Sequence, residues 1–186
     1  VTSIEPALAP TLEVAGEAPP DLRRLFVAHG GYVANSLRRL GIAHEDVEDV
    51  LHEVFLQVHR HLHEYDPARP ARPWLFAFAF RTAAGHRRRA HRVRERPGVG
   101  AEAVDPAPRP DEQVAAAQDR KLVLDALEDL PIERRAVFVL VEIDGVSTQD
   151  VAVALSIPLN TVYSRLRVAR QEFADAVRRR RPGGDR

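Results

Sequence analysis

From Ser147 to Arg170 the chain reads Ser-Thr-Gln-Asp-Val-Ala-Val-Ala-Leu-Ser-Ile-Pro-Leu-Asn-Thr-Val-Tyr-Ser-Arg-Leu-Arg-Val-Ala-Arg, and few folds accommodate that pattern. Val151, Ala152 and Leu155 are spaced to bury one face of a short helix. Val162, Leu166, Ala169 and Phe173 repeat at four, three and four residues on a second, with a tight turn between the two. Asn160, Thr161, Tyr163, Ser164, Arg165 and Arg167 are then left on open faces. Short hydrogen-bonding side chains and arginines in the N-terminal half of an amphipathic second helix are what a helix-turn-helix presents to a major groove. A plain helical hairpin with solvated arginines is the competing reading of this segment taken alone.

The rest of the chain is expected to be helical too. With 186 residues, 45% of them hydrophobic, there is material for one or two small domains with cores of their own. From Pro97 the sequence Pro-Gly-Val-Gly-Ala-Glu-Ala-Val-Asp-Pro-Ala has no period, and Pro108 and Pro110 extend it, so 97–112 reads as a flexible Pro/Gly/Ala linker. It separates a domain at 21–96 from a second at 113–180, flanked by a tail at 1–20 that is expected to be disordered and a short tail at 181–186. In the first domain Leu22, Leu25, Phe26, Val33, Leu37 and Leu40 outline a helix that Gly41 stops. Val47, Leu51, Val54, Phe55, Val58 and Leu62 form the inward stripe of a helix opening at His44 or Glu45. The run Trp74-Leu-Phe-Ala-Phe-Ala-Phe-Arg81 alternates like a strand, but nothing in the chain could pair with it, and it runs directly into helix-forming residues. In the second domain Leu122, Leu124, Leu127 and Leu130 face inward, Pro131 starts a third apolar segment, and Asp144-Gly145 ends it before Ser147 caps the helix-turn-helix. The fold class is therefore all-α, two small helical domains joined by a linker.

Charge narrows the function. The formal net charge is zero, yet residues 1–20 hold three acids and no base, while seven arginines lie between Arg81 and Arg96 against only Glu95. Such a concentration suits phosphate. The helix at 45–62 shows Glu45, Asp49, His52, Glu53, Leu56 and Arg60 outward, an acidic face around an exposed leucine that reads as a docking surface. There is no cysteine, no glycine-rich phosphate loop and no nucleophile motif, which argues against an enzyme and against any cofactor. His52, His59 and His63 lie seven and four apart without a convergent carboxylate site, and they read as solvated histidines rather than a metal site. Neither a leader-like block nor a bilayer-length apolar run occurs, so the expectation is a cytoplasmic protein without membrane insertion.

Taken in order, these blocks resemble the extracytoplasmic-function (ECF) group of bacterial RNA polymerase sigma factors from Asp21 to Val177. Glu48-Asp49-Val50-Leu51-His52-Glu53-Val54-Phe55 is similar to the region 2 helix, and Pro73-Trp74-Leu75-Phe76 with its arginine-rich tail to the promoter-melting helix. Leu127 through Pro131 with Arg134-Arg135-Ala136-Val137-Phe138 resembles the start of region 4, and Thr161 through Arg170 its recognition helix. The resemblance implies that Asp49, His52, Glu53 and Leu56 grip the beta-prime coiled coil of core RNA polymerase while region 4 docks on the beta flap. It implies minus-35 promoter DNA contacts from Asn160, Thr161, Tyr163, Ser164, Arg165 and Arg167. Minus-10 contacts would come from Tyr65, Asp66, Arg69, Arg72, Trp74, Arg81, Arg87 and Arg88, and an anti-sigma factor would be a further partner. Three positions depart from the family pattern: His52 replaces a glutamine, Arg81 an asparagine and Gly85 an aspartate. Two other readings stay open, a polymerase-binding protein without promoter reading and a repressor using 113–180 alone.

Overall fold

The computed structural model describes residues 21–94 and 111–180. The expected tails and residues 95–110 of the linker lie outside the described residues. Among the described residues seven α-helices follow in order: α1 (Leu22–Arg39), α2 (Val47–Arg60), α3 (Ala71–Arg94), α4 (Asp111–Glu128), α5 (Ile132–Phe138), α6 (Thr148–Leu155) and α7 (Leu159–Arg180). Among the described residues there is no strand, and Trp74–Arg81 is the first part of α3. α4 already includes Asp111 and Glu112, two residues earlier than the linker boundary at 112 predicts.

Punctuation in the sequence sets the helix ends. The Asp21 carboxylate accepts the Arg23 N–H at 3.0 Å to open α1, and Gly41, at φ +85°, closes the turn behind Leu40. That φ favours glycine, and a side chain at Gly41 would also have to displace the guanidinium heads of Arg87 and Arg135. α5 continues into a π turn at Val139–Ile143, which Asp144 and the left-handed Gly145 terminate. Ser147 caps α6: its hydroxyl oxygen accepts the Asp150 N–H at 3.1 Å and its O–H donates to the Asp150 carboxylate at 2.7 Å.

α1, α2 and α3 pack as one three-helix unit around Val33, Leu37, Val54, Val58, Leu75 and Phe76, all with essentially no exposure. Each fully buried side chain of this kind is worth about 1.5–3 kcal/mol. The inward stripe of α2 is wider than read: Val50 is buried with Val47, Val54, Phe55 and Val58, whereas Leu51 and Leu62 are half-buried. α2 is wedged between α1 and α3, so it must bury two flanks instead of one. Phe26, expected inward, is 41% exposed and covers the rim of the core with its ring edge-on to Phe55 at 4.8 Å. In the second half α7 runs against α4 and α5 through Val162, Leu166, Ala169 and Ala176, and Arg134 binds Glu172 with two hydrogen bonds of 2.8 and 2.7 Å.

Candidate nucleic-acid interface

α6 and α7 enclose a turn of three residues, Ser156 to Pro158. Ser156 takes the left-handed conformation at φ +54°, and the Ile157 N–H reaches back to the Ala152 carbonyl at 3.0 Å. This geometry is a helix-turn-helix. Val162 and Leu166 seat α7 on the core, and that rotation places Asn160, Tyr163, Ser164 and Arg167 in solvent with Thr161 and Arg165 half-exposed. All six residues therefore lie along the N-terminal half of one helix. Tyr163, 49% exposed, is at 3.5 Å from the Thr148 hydroxyl of α6, and Ser164 donates to the Thr161 carbonyl at 3.0 Å, which keeps its lone pairs facing outward.

The arginines of α7 divide sharply along its length. Arg170 donates twice to Glu142 at 3.0 and 2.7 Å, Arg178 pairs with Asp175, and Arg179 and Arg180 both clasp Asp129 at 2.7 Å. Those hydrogen bonds hold the Asp129 carboxyl well below the usual carboxylate range. Arg165 and Arg167 have no hydrogen bond or ion pair among the described residues, so their donors remain available.

A second candidate surface joins the loop after α2 to α3. Tyr65 and Trp74 lie with ring centroids 4.9 Å apart, Trp74 and Phe78 are 4.9 Å apart edge-on, and the Arg81 guanidinium sits 4.5 Å above Phe78. The result is an aromatic column ended by a cation; Phe78 belongs to the core, and only the partly exposed Tyr65 and Trp74 end offers a ring face to an unstacked base. Burial lowers the Arg81 pKa, and Glu64 opposes that shift. Asp66 accepts the Ala68 N–H at 2.9 Å and lies 3.5 Å from Arg69 Nε, which shapes the loop, and Arg72 stacks over Tyr32 at 5.3 Å. An open groove of about 560 Å³ runs beside the column, lined by Glu53, His61, Glu64, Phe78, Arg81 and Gly85 among others. Arg88 is exposed, but Arg87 is half-buried and turned towards the Leu40 carbonyl and Arg135, away from the other minus-10 candidates. Arg135 enters the sequence reading only as part of the region 4 resemblance, and its full burial escapes that reading because nothing in the local pattern marks an arginine for the interior.

On α2, Asp49, His52, Glu53 and Leu56 are all exposed and share one face, with Leu56 at 58%. Arg89 of α3 approaches Glu53 at 3.3 Å and covers one edge of that face. Among the described residues no group of acids and histidines is arranged to hold a metal ion, and no helix is long and apolar enough to cross a membrane.

Comparison with known proteins matches residues 25–93 to sigma-70 region 2 and residues 120–173 to sigma-70 region 4. The chain is 31% identical over 160 residues to the RNA polymerase sigma factor CnrH of Cupriavidus metallidurans, covering 81% of this chain and 83% of that protein. It is 36% identical over 149 residues to the ECF RNA polymerase sigma factor SigL of Mycobacterium tuberculosis, covering 80% and 84%. Among solved structures, CnrH in complex with the cytosolic domain of CnrY superposes with a TM-score of 0.58 at 26% identity, covering 86% of this chain and 89% of that one. The sigma factor RpoE in complex with the anti-sigma factor NepR from Bartonella quintana shares the fold at a TM-score of 0.67 and 20% identity, covering 87% and 99%. With both sigma-70 regions in the expected order and relatives matched over most of their length, the chain belongs to the ECF group of RNA polymerase sigma factors.

Proposed function

We propose that this chain, a sigma factor that binds core RNA polymerase and directs promoter-specific initiation, acts through binding alone and divides the work among four surfaces. The N-terminal half of α7 reads the minus-35 element through Asn160, Thr161, Tyr163, Ser164, Arg165 and Arg167. The single observation that carries this is the sorting of the α7 arginines: those beyond Arg167 are tied to carboxylates, and the two at the groove-facing end have their donors open. Bidentate arginine contacts to guanine are worth about 1–3 kcal/mol each. Tyr65 and Trp74, backed by the buried Phe78, capture the opened minus-10 strand together with Arg72, Arg81 and Arg88, and Asp66 with Arg69 holds the loop in shape.

The acidic face Asp49, His52, Glu53 and Leu56 docks on the beta-prime coiled coil of core polymerase, and region 4 on the beta flap. Both structural neighbours were solved with a second protein, one of them named as an anti-sigma factor, and we assign this chain a regulator of that kind. Asp49→Arg with Glu53→Arg tests the docking face, since both side chains are exposed and the buried stripe of α2 is untouched. The folded double variant is expected to lose core polymerase in a pull-down while keeping its helical circular dichroism. Retention of normal polymerase binding would contradict the assignment.

A further inference from the structure

The outward side of α7 does not end at Arg167. Tyr163, Arg167 and Arg170 follow at four and three residues, so they stand on one side of the helix, a turn apart. Arg170 therefore continues the row assigned to the duplex, and its side chain is 58% exposed. What distinguishes it from Arg167 is a single carboxylate. Glu142 Oε1 accepts from Arg170 Nε at 3.0 Å and from Arg170 Nη2 at 2.7 Å, so two of the three guanidinium nitrogens are engaged.

The π turn puts that carboxylate in place. Val139 and Leu140 are fully buried, Val141 and Ile143 half-buried, and Glu142 is turned out towards α7. The Asp144 N–H bonds back to the Val139 carbonyl at 2.9 Å, the five-residue step that sets this rotation. An ion pair so open to water contributes little to stability, because solvent screens it and two long side chains lose their freedom. Its larger consequence is electrostatic. A guanidinium joined to a carboxylate presents no net charge to a phosphate, and Glu142 itself repels one.

We propose that Glu142 is a specificity-determining residue: it withholds Arg170 from the DNA backbone and so limits sequence-independent attachment of the recognition helix. This deepens the minus-35 reading and rests on it. Phosphate contacts supply affinity without sequence information, whereas base-edge contacts supply the choice. In a sequence-independent complex no base contact fixes the register of α7, and a freed guanidinium takes whichever phosphate lies nearest. At the promoter the bases set the register, which leaves a freed Arg170 fewer phosphates within reach. Release of Arg170 therefore favours the wrong sites over the right one, and the carboxylate acts against them.

The test uses holoenzyme carrying the full chain and two DNA probes in salt titrations of anisotropy. One probe is a duplex spanning a promoter that the parent transcribes, the other a mixed-sequence duplex of equal length. Glu142→Gln is expected to bind the mixed-sequence duplex about three- to tenfold more tightly, with a log-log salt slope steeper by about one, as one more neutralised phosphate implies. The promoter duplex should gain less. Glu142→Gln combined with Arg170→Ala should return both readings to those of the parent, and Arg170→Ala alone should leave them unchanged. Unfolding midpoints establish that each variant is folded. Glu142→Asp, one methylene shorter, carries the same expectation if Glu142→Gln does not fold. Unchanged mixed-sequence affinity and slope on loss of Glu142, a gain that survives removal of Arg170, an equal gain on both duplexes, or weaker binding by Arg170→Ala alone overturns the proposal. A parent holoenzyme that binds both duplexes alike contradicts the minus-35 reading instead.

Discussion

α3 and α7 are both arginine-rich, and both belong to surfaces assigned to DNA, yet they use their arginines in opposite ways. In α7 the cations sort by position: Arg165 and Arg167 at the turn end have open donors, and Arg170, Arg178, Arg179 and Arg180 bind carboxylates that fix the helix to α4, the π turn and itself. In α3, among the described side chains, Arg81 lies on Phe78, Arg87 turns to Leu40 and Arg135, and Arg89 meets Glu53. α7 reads a duplex, where phosphates and base edges are already presented, so a few free donors at one end suffice. α3 faces a strand that has to be held unstacked, where an aromatic column contributes more than a row of loose cations.

The largest expected effect lies in the arginine that belongs to neither surface. Arg135→Ala removes a fully buried side chain and leaves the Glu128 and Leu130 carbonyls at the end of α4 without their donor. A stability loss of about 3 kcal/mol or more is expected in denaturant unfolding, whereas Arg165→Ala should stay within about 0.5 kcal/mol. Equal stability of the two variants would erase the distinction between holding and reading arginines. Next in size, Arg165→Ala and Arg167→Ala should each weaken holoenzyme binding to a minus-35 duplex by about ten- to a hundredfold if the arginine meets a base edge. A phosphate contact would instead reduce the salt slope by about one, so a salt titration of anisotropy sharpens which kind of contact each makes.

On the α3 side, Arg81→Ala should impair open-complex formation on closed duplex more than on a template carrying a pre-melted bubble, since unpairing is then already complete. Equal impairment on both templates would reduce Arg81 to general docking. The smallest effect is a pH dependence. Asp129 has its folded pKa depressed by Arg180 and Arg179, so its contribution is fully present above the unfolded value near 3.9 and is lost as pH falls through the lower folded value. Thermal unfolding should therefore show an acid-side loss below about pH 4 that Asp129→Asn removes.

How much of this was legible in the sequence follows the range of each interaction. Gly41, Pro131 and Ser147 act within one turn of the chain, and the helix ends they mark are where the structure has them. The six outward residues of α7 were legible for the same reason, because Val162, Leu166, Ala169 and Phe173 fix the rotation of the helix. Val50 was missed because α2 buries two flanks, and a single stripe counted along the sequence describes only one. Phe26 has the right spacing for the core and still lies at its rim, since spacing carries no information about where a bundle ends. The partner of Tyr32 is 112 residues away, and the burial of Arg135 depends on a surface of the other domain, so no local period could reveal either.

Run-off transcription from a linear promoter template with purified core polymerase tests the central claim most directly, with the double variants Arg165→Ala/Arg167→Ala and Arg170→Ala/Arg178→Ala compared with the parent chain. The parent should start transcription at one defined site, the first double variant should lose most of that transcript, and the second should keep it with a lowered unfolding midpoint. A first variant that initiates like the parent, or a second that fails as the first is expected to, would contradict the assignment of reading and holding arginines on α7.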